Sequence, residues 1–177
     1  MGHTSSTQST LVDRAIRAAR LEDAVYEEVE HDREATSQAA IVVVVGALAG
    51  GIGSIGVVGV SGLLFGTITA LLGWVIYAWL AYFVGTRFFA TEATRADWGE
   101  LARALGFAQA PRVLLVSGVV PVLGGLVGLV VFFWLIATTV VAIRAALDFS
   151  TGRAVATAVV ALLPAAILTG FALAVLA

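Results

Sequence analysis

The chain has 177 residues, 60% of them hydrophobic and only 12% charged, with a formal charge of −2 at pH 7 and a mean hydropathy of +1.01. It has no cysteine and two histidines, which excludes disulfides, thiolate catalysis and cysteine-ligated metal and leaves little from which to build a zinc site or a histidine acid–base pair. All ten basic residues are arginine and are outnumbered by acids, so nothing offers the basic face that nucleic acid requires.

Charge is unevenly placed. No Asp, Glu, Lys, Arg or His occurs from Ala35 to Thr86, from Val113 to Ile143, or from Ala154 to Ala177. A helix needs about 20 apolar residues to cross a hydrocarbon layer of about 30 Å, and uncharged tracts of this length predict an all-α integral membrane bundle. Its partners are membrane lipids first, with a homo-oligomer or a protein partner as further contacts.

Residues 1–10 read as a disordered polar tail, too poor in apolar residues for a secretory leader. Met1 to Ser6 fits a myristoylation pattern, but several spans make such an anchor redundant. Residues 11–34 read as an amphipathic cytosolic helix, with Leu11, Ala15, Ala18, Leu21, Val25 and Val29 at helical spacing. Arg14, Arg17 and Arg20 precede a crowd of acids. The helix is either an ordinary solvated one on the membrane surface or a docking face, its arginine half on anionic lipid and its acidic half offered to a basic partner.

Gly51-Ile-Gly-Ser-Ile-Gly56 spells the GxGxxG of a dinucleotide turn. That turn also needs an amphipathic helix and an acid about 20 residues on, yet no acid lies between Glu34 and Glu92. The glycines fit membrane helix packing better, because small residues let backbones approach where lipid supplies little hydrophobic force. Gly46 and Gly50 form one such stripe, with Gly53 beyond; Gly62, Gly66, Ala70 and Gly73 form another. Spans are expected at 37–53 and 57–85, joined by an uncharged turn near Ser54–Gly56.

Residues 86–109 form the charged stretch between apolar tracts, with Trp98 as an interfacial anchor. As one helix, Val113 to Ile143 would be about 46 Å long, and Pro121 with Gly124-Gly125 invites a break. Spans at 101–120 and 122–146 follow, then 154–176 with a kink at Pro164. With five spans and the N-terminus cytoplasmic, nine of the ten arginines fall on the inner side and the C-terminus lies outside the cell membrane, as the positive-inside rule demands. Arg112 is the exception, nine residues before Pro121. Either residues 98–109 lie in the interface and the third span is short, or Arg112 pairs with Asp148 or Glu100.

The acidic lead-in "AVYEEVEHDREATSQAAIVVVVGALAG", the helix end "YFVGTRFF", the run "WGELARALGFAQAPRVLL" and the later "FFWLIATTVVAIRAALDFSTGRAVATAVV" together resemble the Yip domain (Ypt-interacting protein) family, in its prokaryotic form. The resemblance covers Leu21 to the C-terminus and implies five membrane helices with a cytosolic N-terminus. Eukaryotic relatives are implied in vesicle traffic and contact with small prenylated GTPases. This chain lacks their long N-terminal region and Asp-Leu-Tyr-Gly-Pro-like motif, so GTPase binding is not carried over. No catalytic, cofactor or metal residue is expected. The expected function is a non-enzymatic membrane scaffold or partner-binding organiser; the alternative is a small transporter, channel or lipid scramblase component built around Arg112. Glu100, Arg103, Pro111, Arg112, Arg144 and Asp148 are the candidate contacts, and Gly46, Gly50, Gly62, Gly66 and Gly73 the packing positions.

Overall fold

The computed structural model describes residues 10–92, 94 and 96–176. The expected polar tail, apart from Thr10, lies outside the described residues, as do Arg95 and Ala177. Every regular element among the described residues is helical: α1 (Leu11–Ala19), α2 (Asp23–His31), α3 (Ala35–Gly53), α4 (Ile55–Phe88), α5 (Trp98–Phe107), a 3-10 helix (Ala110–Val119), α6 (Pro121–Ala146) and α7 (Thr151–Leu176). Four stretches are long and apolar enough to cross a membrane: Ala35–Gly53, Gly59–Phe88, Val122–Ala146 and Thr151–Val175.

The lead-in is two helices, where one was expected over 11–34. Leu21 adopts a left-handed backbone (φ 63°), its N–H reaching Ala18 O at 3.0 Å while the Glu22 N–H reaches Arg17 O at 3.2 Å. That pair of bonds closes a helix in the Schellman manner. Glycine normally occupies the left-handed position; here leucine does, so the break carries no glycine to announce it. The same device ends α6, with Asp148 at φ 52° and the Phe149 N–H on Arg144 O at 3.0 Å.

The expected third span is composite. Asp97 opens α5 with a reciprocal cap: its carboxylate accepts from the Glu100 N–H at 2.9 Å while Glu100 accepts from the Asp97 N–H at 2.8 Å. The helix is α only to Phe107. Pro111 in the first turn of the next element then leads into a ten-residue 3-10 helix, long for this geometry.

A seam of direct backbone approach holds that element against α3. A Cβ on Gly106 would come 2.6 Å from the Ala39 Cβ, one on Gly46 would come 2.9 Å from the Arg112 Cβ, and one on Gly53 would run into the Leu115 carbonyl; Gly50 faces the Leu115 side chain. Contacts advance together along both chains, so α3 and the composite element run parallel. Residues three apart eclipse in a 3-10 helix, which puts Arg112, Leu115 and Gly118 in one row. Gly46, Gly50 and Gly53 form the matching row on α3.

The α4–α7 pair is antiparallel. A Cβ on Gly73 would sit 3.7 Å from Thr169 Cγ2, in ordinary contact, and Gly85 packs against Leu147, Phe149 and Thr157. The Tyr77 hydroxyl donates to Ala158 O at 3.3 Å. Gly62 is half-buried. Gly66 is exposed, with nothing within 4 Å of a would-be Cβ, so it meets no neighbour among the described residues. At Gly59 α4 bends (φ 67°); α7 continues through Pro164. Residues 101–107 of α5 and Ala108, its C-cap, are all buried, whereas α6 and α7 present large exposed side chains such as Phe132, Phe133, Leu163 and Phe171.

These contacts separate glycines of like appearance. Gly53→Ala must push two backbones apart and should cost about 1–3 kcal/mol. Gly66→Ala, in open space on a helix, should leave stability unchanged or raise it by up to about 1 kcal/mol. Thermal midpoints in one detergent read the difference.

Candidate functional site

The charged residues gather at one end of the bundle, where α1 and α2 fold onto α5 and α6. Arg14 is 6% exposed. It pairs with Glu28 at 2.9 Å and Asp32 at 2.8 Å and donates to Gln38 Oε1 at 3.1 Å. Arg17 reaches Glu22 at 3.1 Å and Glu28 at 2.9 Å. The network ties α1, α2 and the start of α3 into one cap. Tyr26 donates to Ala18 O at 2.9 Å, and its burial holds the phenol well above its ordinary pKa.

Three side chains fasten this cap to the bundle. Arg103, 6% exposed, donates from Nε to Val29 O at 3.0 Å and from a terminal nitrogen to Glu30 O. A cation at the carboxyl end of α2 satisfies carbonyls that have no helical partner and opposes the negative end of the helix dipole. Arg144 pairs with Asp23 at the other end of α2. Trp134 donates its indole N–H to Ala19 O at 2.7 Å, the last turn of α1.

The candidate residues therefore have distinct surroundings. Arg103 is an internal clamp. Glu100 is occupied in the α5 cap. Pro111 is buried at the start of the 3-10 helix. Arg144 and exposed Asp148 line a cleft of about 240 Å³ with Asp23, Glu27, Ala145 and Phe149. Arg112 meets neither acid weighed for it: Glu100 is spent on the cap, and Arg112 makes no ion pair among the described residues. It donates to Gln109 Oε1 at 3.2 Å, and its Nε is buried without a hydrogen-bond partner among them, as is Ser117 Oγ. No group of three or more His, Asp or Glu among the described residues would hold a metal ion.

Sequence reasoning passed over Glu30 and Arg14. On the α1 wheel Arg14 falls beside Leu11 and Ala18, the edge that packs inward, and this position was its only signal. Glu30 sits where α2, α5 and the α6–α7 turn converge, with one carboxylate oxygen buried and unpartnered. Burial, reinforced by Glu100, Asp148 and Glu27 and opposed by His31, pushes its pKa up to about 7. His31 stands 3.4 Å away and hydrogen-bonds Glu27 O at 2.9 Å through Nδ1, which a carbonyl acceptor requires to carry the proton.

The model of one known family, the Yip1 domain, matches residues 22–174. The chain belongs to the Yip1 domain family. This Yip1 domain fills nearly the whole chain, and the protein is a multi-pass membrane protein. No curated protein and no solved structure matches it.

Because the folded-state pKa of Glu30 is raised, the protonated acid favours the cap. That contribution is complete below about pH 4.5 and is lost as pH rises through about 7. Thermal midpoints should fall across this interval, and Glu30→Gln should flatten the profile. Arg103→Met should cost about 2–3 kcal/mol and speed amide exchange in α2 before the apolar helices respond.

Proposed function

We propose that this Yip1-domain protein is a non-enzymatic membrane organiser, crossing the cell membrane five times and offering the acidic edge of α2 to a basic segment of a protein partner. The observation that carries the reading is the direction of charge at the capped end. Arg14, Arg17, Arg103 and Arg144 are engaged with groups of the chain itself, while Glu27 and Asp148 stand exposed. A preorganised acidic surface on a rigid cap attracts cations without an ordering cost.

Five crossings follow if α5 and the 3-10 helix count as one. Together they reach about 35 Å beside α3, which itself is long enough to span. The capped end then faces the cytosol with nine of the ten arginines, and the C-terminus lies outside. In this placement α1 lies along the membrane surface. Its inner side meets the bundle, Asp13 and Arg20 face water, and exposed Val12 and Ile16 face lipid.

A second reading has one specific support. The buried, unpartnered Nε of Arg112 and hydroxyl of Ser117 both lie in one non-α segment, and unmet polar groups in a broken span are what a transport or scrambling pathway would use.

Reporter fusions should read Ser150 as cytosolic and Ala177 as external; ends on one side would remove the odd crossing number. A photocrosslinker at exposed Ala24 of α2 in native membranes should capture a protein, and Glu27→Lys with Asp148→Lys should abolish that capture. A chain that is monomeric and yields no adduct ends the organiser reading. Lipid scrambling or ion flux in vesicles that Arg112→Leu abolishes would establish the second reading instead.

A further inference from the structure

A cleft of about 530 Å³ opens between the start of α3, the middle of α4 and the first turn of α5, with Arg33, Glu34 and Thr36 at its mouth and Ala40, Trp74 and Trp98 within. It shares no lining residue with the cleft at the acidic edge of α2. Its walls are fixed. The Trp74 indole N–H is held by Ala102 O at 2.9 Å, and the α5 end is held by the Asp97–Glu100 cap. Ala40 and Ala102 leave the volume that larger side chains would take. The size suits a small-molecule site, which is typically apolar with a few polar groups that orient the occupant.

Polarity changes along the cleft as it does across a leaflet. Arg33 and Glu34 are the last charged residues before the charge-free tract begins at Ala35. Ala40 lies six residues beyond Glu34, about 9 Å deeper along α3. Two tryptophans, Trp74 and Trp98, line the same cleft, an amphipathic pair of the kind that collects at the boundary of headgroup and hydrocarbon. Val75 and Trp98 are 41% and 40% exposed, so the cleft is continuous with the lipid-facing side of α4. Its occupant enters from the bilayer.

The mouth specifies the headgroup. Arg33 and Glu34 are exposed neighbours, and neither is among the ion pairs of the described residues. One cation beside one anion complements a group carrying phosphate and ammonium together, whereas a net-negative headgroup meets Glu34 as a like charge. We propose that this cleft binds one phospholipid with a phosphoethanolamine headgroup, its phosphate on Arg33, its ammonium on Glu34 and an acyl chain between Trp74 and Trp98.

The test is native mass spectrometry of the full chain released from vesicles of equal parts phosphatidylethanolamine and phosphatidylglycerol. The wild type should retain one phosphatidylethanolamine, enriched several-fold over phosphatidylglycerol. Ala40→Phe, which fills the cleft, should lose that lipid. Glu34→Arg makes the mouth dicationic and should reverse the preference toward phosphatidylglycerol. Glu34 makes no side-chain cap bond to α3, so the exchange leaves the helix start intact, and a reversal is a gain that misfolding does not produce. Retained lipid that mirrors the vesicle composition, or selectivity unchanged by Glu34→Arg, overturns the proposal.

Discussion

The bundle is organised by the close approach of α3 to the 3-10 helix. Lipid gives apolar helices little reason to associate, so packing and satisfied polar groups must do it. At Gly46, Gly50 and Gly53 the facing chain comes so near that a methyl would collide or touch. This nearness carries α5 inward until residues 101–108 are all enclosed. From there Ala108 O accepts from the Thr138 hydroxyl of α6 at 2.8 Å, Ala102 O accepts from Trp74 of α4, and Arg103 reaches α2. Besides α3, this short helix and its C-cap thus reach three further neighbours through backbone carbonyls or a single guanidinium.

The cap rests on a different balance. Burying Arg14 is costly unless its donors are met, and Glu28, Asp32 and Gln38 meet them. Arg103 is met by carbonyls rather than by carboxylates, and burial drives up the proton affinity of the neighbouring Glu30 acid. Salt strengthens or weakens this end of the molecule differently from the apolar end, because only here does the fold depend on charge.

What the sequence made legible followed from local pattern. Charge-free tracts announced the apolar helices, and the family could be named from short runs such as "WGELARALGFAQAPRVLL". Two features escaped because nothing local encodes them. The break at Leu21 lacks the glycine that usually marks a left-handed residue, so an amphipathic pattern running through it read as one helix. The clamp of Arg103 on Val29 and Glu30 joins residues more than seventy positions apart, and a lone arginine in a charged loop gives no sign of such reach. Spacing alone also could not distinguish Gly53, pressed against Leu115, from Gly66, which faces open space.

The meshing of two unlike helices has a mechanical consequence. With three residues per turn on one side, every step along Ala110–Val119 rotates a side chain by about 120°. Deleting a single residue between Arg112 and Leu115 would swing the remaining teeth a third of a revolution away from the slots at Gly50 and Gly53. Shortening the 3-10 helix by three residues would return them to line, one pitch short. Evolution of this segment is therefore quantised: its length is free to change by whole turns and by nothing smaller.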